Sequence, residues 1–159
     1  MTVPLSPDWA EIERSSLFLA TVASKWSHII DRVIGLTRGG LVPAVIISNK
    51  LSIPMTAINY SSSEGRGDDK NHNNFLPPFV GPLLSGTGKP PEPLTLLIVD
   101  DICDSGKTLE EVQLHYERQG NKVLTATLYY KKEAVMSPSY HVWTLEKDSP
   151  WVVFPWEAM

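Results

Sequence analysis

Leu96-Leu97-Ile98-Val99-Asp100-Asp101-Ile102-Cys103-Asp104-Ser105-Gly106-Lys107-Thr108 decides how the rest of the chain reads. Four apolar residues, rich in branched side chains and too few for a helix, predict a buried strand. Two adjacent carboxylates follow, then a third at Asp104. Ser105-Gly106-Lys107-Thr108 predicts a helix entry: Gly106 admits a close backbone approach, and the Ser105 and Thr108 hydroxyls can serve orphan amides. A helix N-terminus attracts phosphate. Carboxylates at a strand's end can hold sugar hydroxyls or a hard cation such as magnesium.

Two other readings compete. Asp-Asp after a strand is often a turn with a helix cap. Gly-Lys-Thr also suggests a nucleoside-triphosphate loop, which requires a Gly five residues before the Gly-Lys pair. That position is Asp101. A carboxylate there opposes a triphosphate unless a metal intervenes, so a single monophosphate with a sugar over the acids fits better.

With its two acids, two mostly apolar residues, small or acidic residue and Ser/Thr-Gly-x-Thr, the stretch resembles the phosphoribosyl diphosphate (PRPP) motif of the type I phosphoribosyltransferases. All thirteen residues fit that pattern. The resemblance implies an α/β fold, a mainly parallel twisted sheet flanked by helices, with a long mobile lid loop and a small C-terminal base-binding segment.

Composition agrees with a single domain over 1–159. The chain has 159 residues, is 42% hydrophobic and 20% charged, and carries net charge −4. These values suit one globular core. An acidic chain without a Lys/Arg stripe argues against nucleic acid as a partner. Cys103 is the only cysteine, so no internal disulfide can form. With no signal peptide and no apolar run near membrane-spanning length, the expectation is a cytoplasmic protein without a membrane partner.

Outward from the motif, Ser6-Pro7-Asp8 predicts a helix start with Ser6 as the cap. Trp9, Ile12, Phe18, Leu19 and Val22 are its expected apolar face. Val33 to Thr37 reads as a second strand, broken by Arg38-Gly39-Gly40 before a helix from Leu41 to Leu51. Paired glycines can simply make a tight turn. They can also form an anion nest to which Arg38 adds a forked charge. Met55 to Tyr60 is a third strand. Residues 61–93 are rich in Ser, Gly, Asn and Pro and read as a lid or a surface insertion, with Phe75 to Leu84 too apolar for a free linker. Leu109 to Tyr116 continues a helix ended by Gly120. Val123 to Tyr130 and Tyr140 to Leu145 are strands. Alternating strands and helices predict a parallel sheet covered on both faces, with ligands at the strands' carboxyl ends. The Arg38 loop, the 100–108 loop and Lys131 all fall at such ends.

Lys131 alone could be a solvated lysine, and Trp151 a core or interface residue. Together they offer a donor for an exocyclic oxygen and a face for a planar base. The bacterial xanthine–guanine branch of the family has a Lys after this strand and a Trp-apolar-x-x-Pro-Trp-acid segment. Trp151-Val152-Val153-Phe154-Pro155-Trp156-Glu157 is similar to that segment. The branch carries an acid where this chain has Val153, which leaves guanine, xanthine and hypoxanthine all open.

The resemblance implies a magnesium-dependent purine salvage enzyme transferring phosphoribosyl from PRPP to a 6-oxopurine, with pyrophosphate released. It implies that Arg38, Gly39 and Gly40 meet the pyrophosphate, and that Asp100 and Asp101 hold the ribose hydroxyls and Mg2+. Asp104 would act near the base, while Ser105, Gly106, Lys107 and Thr108 hold the 5′-phosphate. Lys131, Trp151 and the Val152 backbone, within a base-binding segment at 140–159, would meet the purine. A homodimer or homotetramer is implied too. The other readings are a PRPP-fold regulator and an enzyme for another base. Cys103, with no His near it in sequence, reads as packing beneath the loop.

Overall fold

A computed structural model describes residues 3–60 and 93–157. All but the last residue of the 61–93 segment, with its lid and its apolar 75–84 stretch, lies outside the described residues. Five strands form one sheet in the order β2-β1-β3-β4-β5: β1 (Arg32–Leu36), β2 (Met55–Ile58), β3 (Thr95–Cys103), β4 (Lys122–Lys131) and β5 (Tyr140–Leu145). Every neighbouring pair is parallel. A parallel sheet needs cover on both faces. Helices α1 (Trp9–Ala23) and α2 (Leu41–Leu51) lie on one face and α3 (Lys107–Glu117) on the other.

The alternation of β3 explains the two cores. Leu97 and Val99 join Ile12, Leu19, Ala44 and Ile47 on the α1/α2 side. Leu96 and Ile98 join Leu109, Val112 and Tyr116 under α3. All four strand residues are fully buried, so β3 is a two-sided central strand, as its unbroken apolar run predicts.

β3 does not stop at Val99. It runs on through both acids to Cys103, because β4 keeps pairing with it: Asp100 sits opposite Thr127 and Cys103 opposite Tyr130. Asp100 is therefore held in a ladder, and Asp101 lies within the same strand rather than in a turn.

The N-terminal helix differs from its sequence reading in two ways. Its cap is Asp8, not Ser6: the Asp8 carboxylate accepts the Glu11 amide at 2.7 Å. Its buried face is Ile12, Ser15, Ser16, Leu19, Ala20 and Ala23, which leaves Trp9 and Phe18 more than half exposed. Small residues let α1 lie close on α2, and Ser16 can be buried because its hydroxyl donates to the Ile12 carbonyl. Size alone had suggested the aromatics as the inner face. Among the described residues no helix is long and apolar enough to cross a membrane.

Candidate active site

Two glycines join the Arg38 loop to the acids of β3. A Cβ on Gly39 would lie 1.7 Å from an Asp101 carboxylate oxygen, and one on Gly40 2.3 Å from the Val99 carbonyl. No side chain fits at either place. The glycines thus let the loop after β1 rest directly on β3, with the exposed Arg38 beside it. The Thr37–Arg38 peptide is cis.

The acid pair is organised by its own backbone. Asp100 accepts the Asp101 amide at 2.9 Å, and Asp101 accepts the Ile102 amide at 2.7 Å. Each side chain keeps a rim open to solvent. Burial nevertheless raises both acids. Asp101 is pushed up to about 6, by desolvation first and with a contribution from the Glu157 carboxylate. Asp100 rises well above the usual range, from desolvation and then from Asp101's charge. Such a pair favours a cation or a set of hydroxyl donors in front of it.

Past Cys103 the chain turns into α3. Gly106, at φ +81°, is the residue before the helix, and no side chain caps it. Ser105 Oγ lies at long range from the Lys107 amide, 3.4 Å away. The loop after β4 backs this turn: the Val135 amide donates to the Ser105 carbonyl at 2.9 Å. A Cβ on Gly106 would meet Ala134 and the Val135 and Met136 amides, each at 3.2 Å. Cys103 lies beneath, its thiol facing the Met136 carbonyl and its pKa pushed up to about 12 by burial. A thiol so hard to ionise is packing and not a nucleophile.

At the other side of the turn, Lys131 Nζ meets an Asp104 carboxylate oxygen at 2.5 Å. It also stands 5.9 Å from the centre of the Trp151 ring. Lys131 is the last residue of β4, so the strand fixes its origin. Trp151 is 52% exposed, whereas Val152 and Phe154 are buried. The tail alternates like an extended strand, pinning Val152 and Phe154 inward and presenting Trp151 outward. Phe154 stacks on Trp156 at 4.8 Å and meets Tyr129 edge-on.

The structure brings the named residues together in two groups, Gly39-Gly40 with Asp100-Asp101 and Asp104 with Lys131 and Trp151, on either side of the 103–106 turn. Two contributors were missing from the sequence reading. Glu157 was noted only for its acid character, yet its charge reaches Asp101, and its side chain accepts the Phe154 amide at 3.3 Å. The segment before Ser6 was given no role, yet it clasps the tail: the Leu5 carbonyl accepts the Val153 amide at 2.9 Å, and the Pro4 carbonyl accepts the Tyr129 hydroxyl at 2.6 Å. Only pairing across the whole chain produces those contacts, so no local signal announces them.

Relatives place this architecture. The phosphoribosyl transferase domain family matches residues 8–158. The chain is 32% identical over 130 residues to a xanthine-guanine phosphoribosyltransferase of Roseobacter denitrificans, covering 79% of this chain and 67% of that one. It is 30% identical to the enzyme of the same name from Desulfotalea psychrophila, over 99% of this chain and 87% of that one. The crystal structure of a purine phosphoribosyltransferase from Pyrococcus horikoshii superimposes with a TM-score of 0.71 at 30% identity, covering 97% and 94% of the two chains. With its five-stranded parallel sheet and its acid pair leading into a glycine turn, this chain belongs to the phosphoribosyl transferase domain family.

Proposed function

We propose that the protein transfers the 5-phosphoribosyl group of PRPP to a 6-oxopurine, giving a nucleoside 5′-monophosphate and pyrophosphate. The observation that carries this reading is the Lys131–Asp104–Trp151 group beside the 103–106 turn. An ammonium suits an exocyclic oxygen and opposes an exocyclic amino group. The exposed indole offers a stacking face. The names of the relatives point to the same substrates.

In this reading the 5′-phosphate lies on the Ser105–Thr108 turn, where backbone amides open a helix. Arg38 with Gly39 and Gly40 takes the pyrophosphate. Asp100 and Asp101 hold the ribose hydroxyls. The acid pair also fits magnesium: burial disfavours the charge on both carboxylates, and a cation in front of them would offset that cost. That ion prefers one or two carboxylates and keeps its remaining positions for water and substrate oxygens. When bound it neutralises charge on the leaving pyrophosphate. Trp151 and the Val152 backbone orient the base with N9 toward C1 of the sugar. As the N9–C1 bond forms, the bond from C1 to the pyrophosphate oxygen breaks and its electron pair leaves with pyrophosphate. The N7 proton of the base passes to Asp104.

The test is a base-competition assay with purified protein, PRPP, magnesium and each purine and pyrimidine base. Hypoxanthine, guanine or xanthine should give the 5′-monophosphate, and adenine and the pyrimidines should not. Absence of product with every base would overturn the reading.

A further inference from the structure

The ion pair between Lys131 and Asp104 joins two groups with separate tasks toward the base. At 2.5 Å it is a direct contact. Both partners are partly shielded, with Lys131 exposing 22% of its side chain and Asp104 41%. The contact is short because its two ends are fixed independently. Lys131 is anchored by β4, which pairs with β5 through Lys131 and Leu145. Asp104 is anchored by Cys103 below it and by the Ser105 carbonyl, which accepts the Val135 amide. The indole of Trp151 stands over the same ammonium, so a base stacked on it arrives next to the pair.

We infer that this pair is a latch through which recognition of the 6-oxygen controls the proton acceptor. This inference rests on the proposed transfer reaction. While the site is empty, the Lys131 ammonium occupies the carboxylate that must receive the N7 proton. A base with a 6-oxygen draws the ammonium onto that oxygen and leaves Asp104 open toward N7. A base with hydrogen at position 6 cannot do so, and Asp104 stays engaged. Selection for the oxopurine then acts on the chemical step as well as on binding, because the wrong base fails to assemble the acceptor. Lys131 thus serves as a positioning residue for Asp104 in addition to its contact with the base.

Unsubstituted purine, which has N7 and N9 but no 6-oxygen, separates the latch from simple hydrogen bonding. In the wild-type protein its deficit against hypoxanthine should appear in kcat as well as in KM, read by single-turnover kinetics with excess enzyme. A deficit confined to KM would overturn the latch. In Lys131→Met, kcat/KM for hypoxanthine should fall while that for purine rises about 3- to 10-fold, since the ammonium no longer competes for Asp104. Purine turnover unchanged or lowered in Lys131→Met would overturn it as well, leaving Lys131 only a donor to the oxygen. Retained PRPP binding certifies the fold of the variant, and Lys131→Gln replaces it if it does not fold. Failure of the wild type with every oxopurine would instead overturn the transfer reaction itself.

Discussion

In the proposed reaction the site has a sugar-phosphate side and a base side, and the two are built differently. The sugar-phosphate side is written in one run of sequence and lies on the middle strand of the sheet, with cores above and below it. The base side is collected from the end of β4, the C-terminal tail and the N-terminal segment that clasps it. The first rests directly on the two buried cores. The second hangs on a few long-range contacts, so the nucleobase pocket can change without disturbing the phosphate cradle.

Asp104, where the sides meet, should give the largest effect. Asp104→Asn is expected to lower turnover by roughly 10²-fold or more while PRPP affinity stays near normal, measured by steady-state kinetics and equilibrium binding. Undiminished turnover would remove Asp104 from the chemistry. Lys131→Ala tests the independence of the sides. KM for the oxopurine should rise by about 10-fold and that for PRPP much less. Equal losses would mean that the sides are not separate.

Asp100→Asn probes the sugar side by stability. Asn keeps an oxygen for the Asp101 amide and removes the charge beside Asp101. Since burial and then the Asp101 charge hold the folded pKa of Asp100 well above its ordinary 3.8, the native state binds more protons than the unfolded state between that ordinary value and the raised one. Stability from the pair is therefore full at low pH and is lost as pH rises through this window. Without magnesium, Asp100→Asn should be about 1 kcal/mol more stable than wild type near pH 7 and show little gain near pH 4, by denaturant titration. Added magnesium should reverse the order at pH 7. A variant less stable at pH 7 without the metal would contradict the strained-charge account. The smallest effect belongs to the clasp. Tyr129→Phe removes the hydroxyl donated to Pro4 and should cost about 0.5–1.5 kcal/mol. It should weaken the base more than PRPP in a binding assay.

The same division sets what could be read from sequence. Residues 96–108 carry strand, acids, turn and helix start in order, so that succession of elements was legible, as were helix 41–51 and strand 140–145. Trp151 and Lys131 were legible only as a pair resembling a family pattern. Their meeting depends on β5 placing the tail, which periodicity cannot supply. The inner face of α1 misled because close helix packing selected Ser15, Ser16 and Ala20 over the larger Trp9 and Phe18. The end of β3 was set too early because carboxylates are poor strand formers, and only the ladder with β4 overrides that preference.

The buried thiol of Cys103 also makes the molecule its own reporter. It is the single sulfhydryl in the chain, closed off by the phosphate turn and the 134–136 segment. An alkylating reagent can reach it only when those layers part. The rate of labelling therefore counts openings of the cradle, and PRPP bound across the turn should slow it. A rate indifferent to PRPP would place the opening elsewhere.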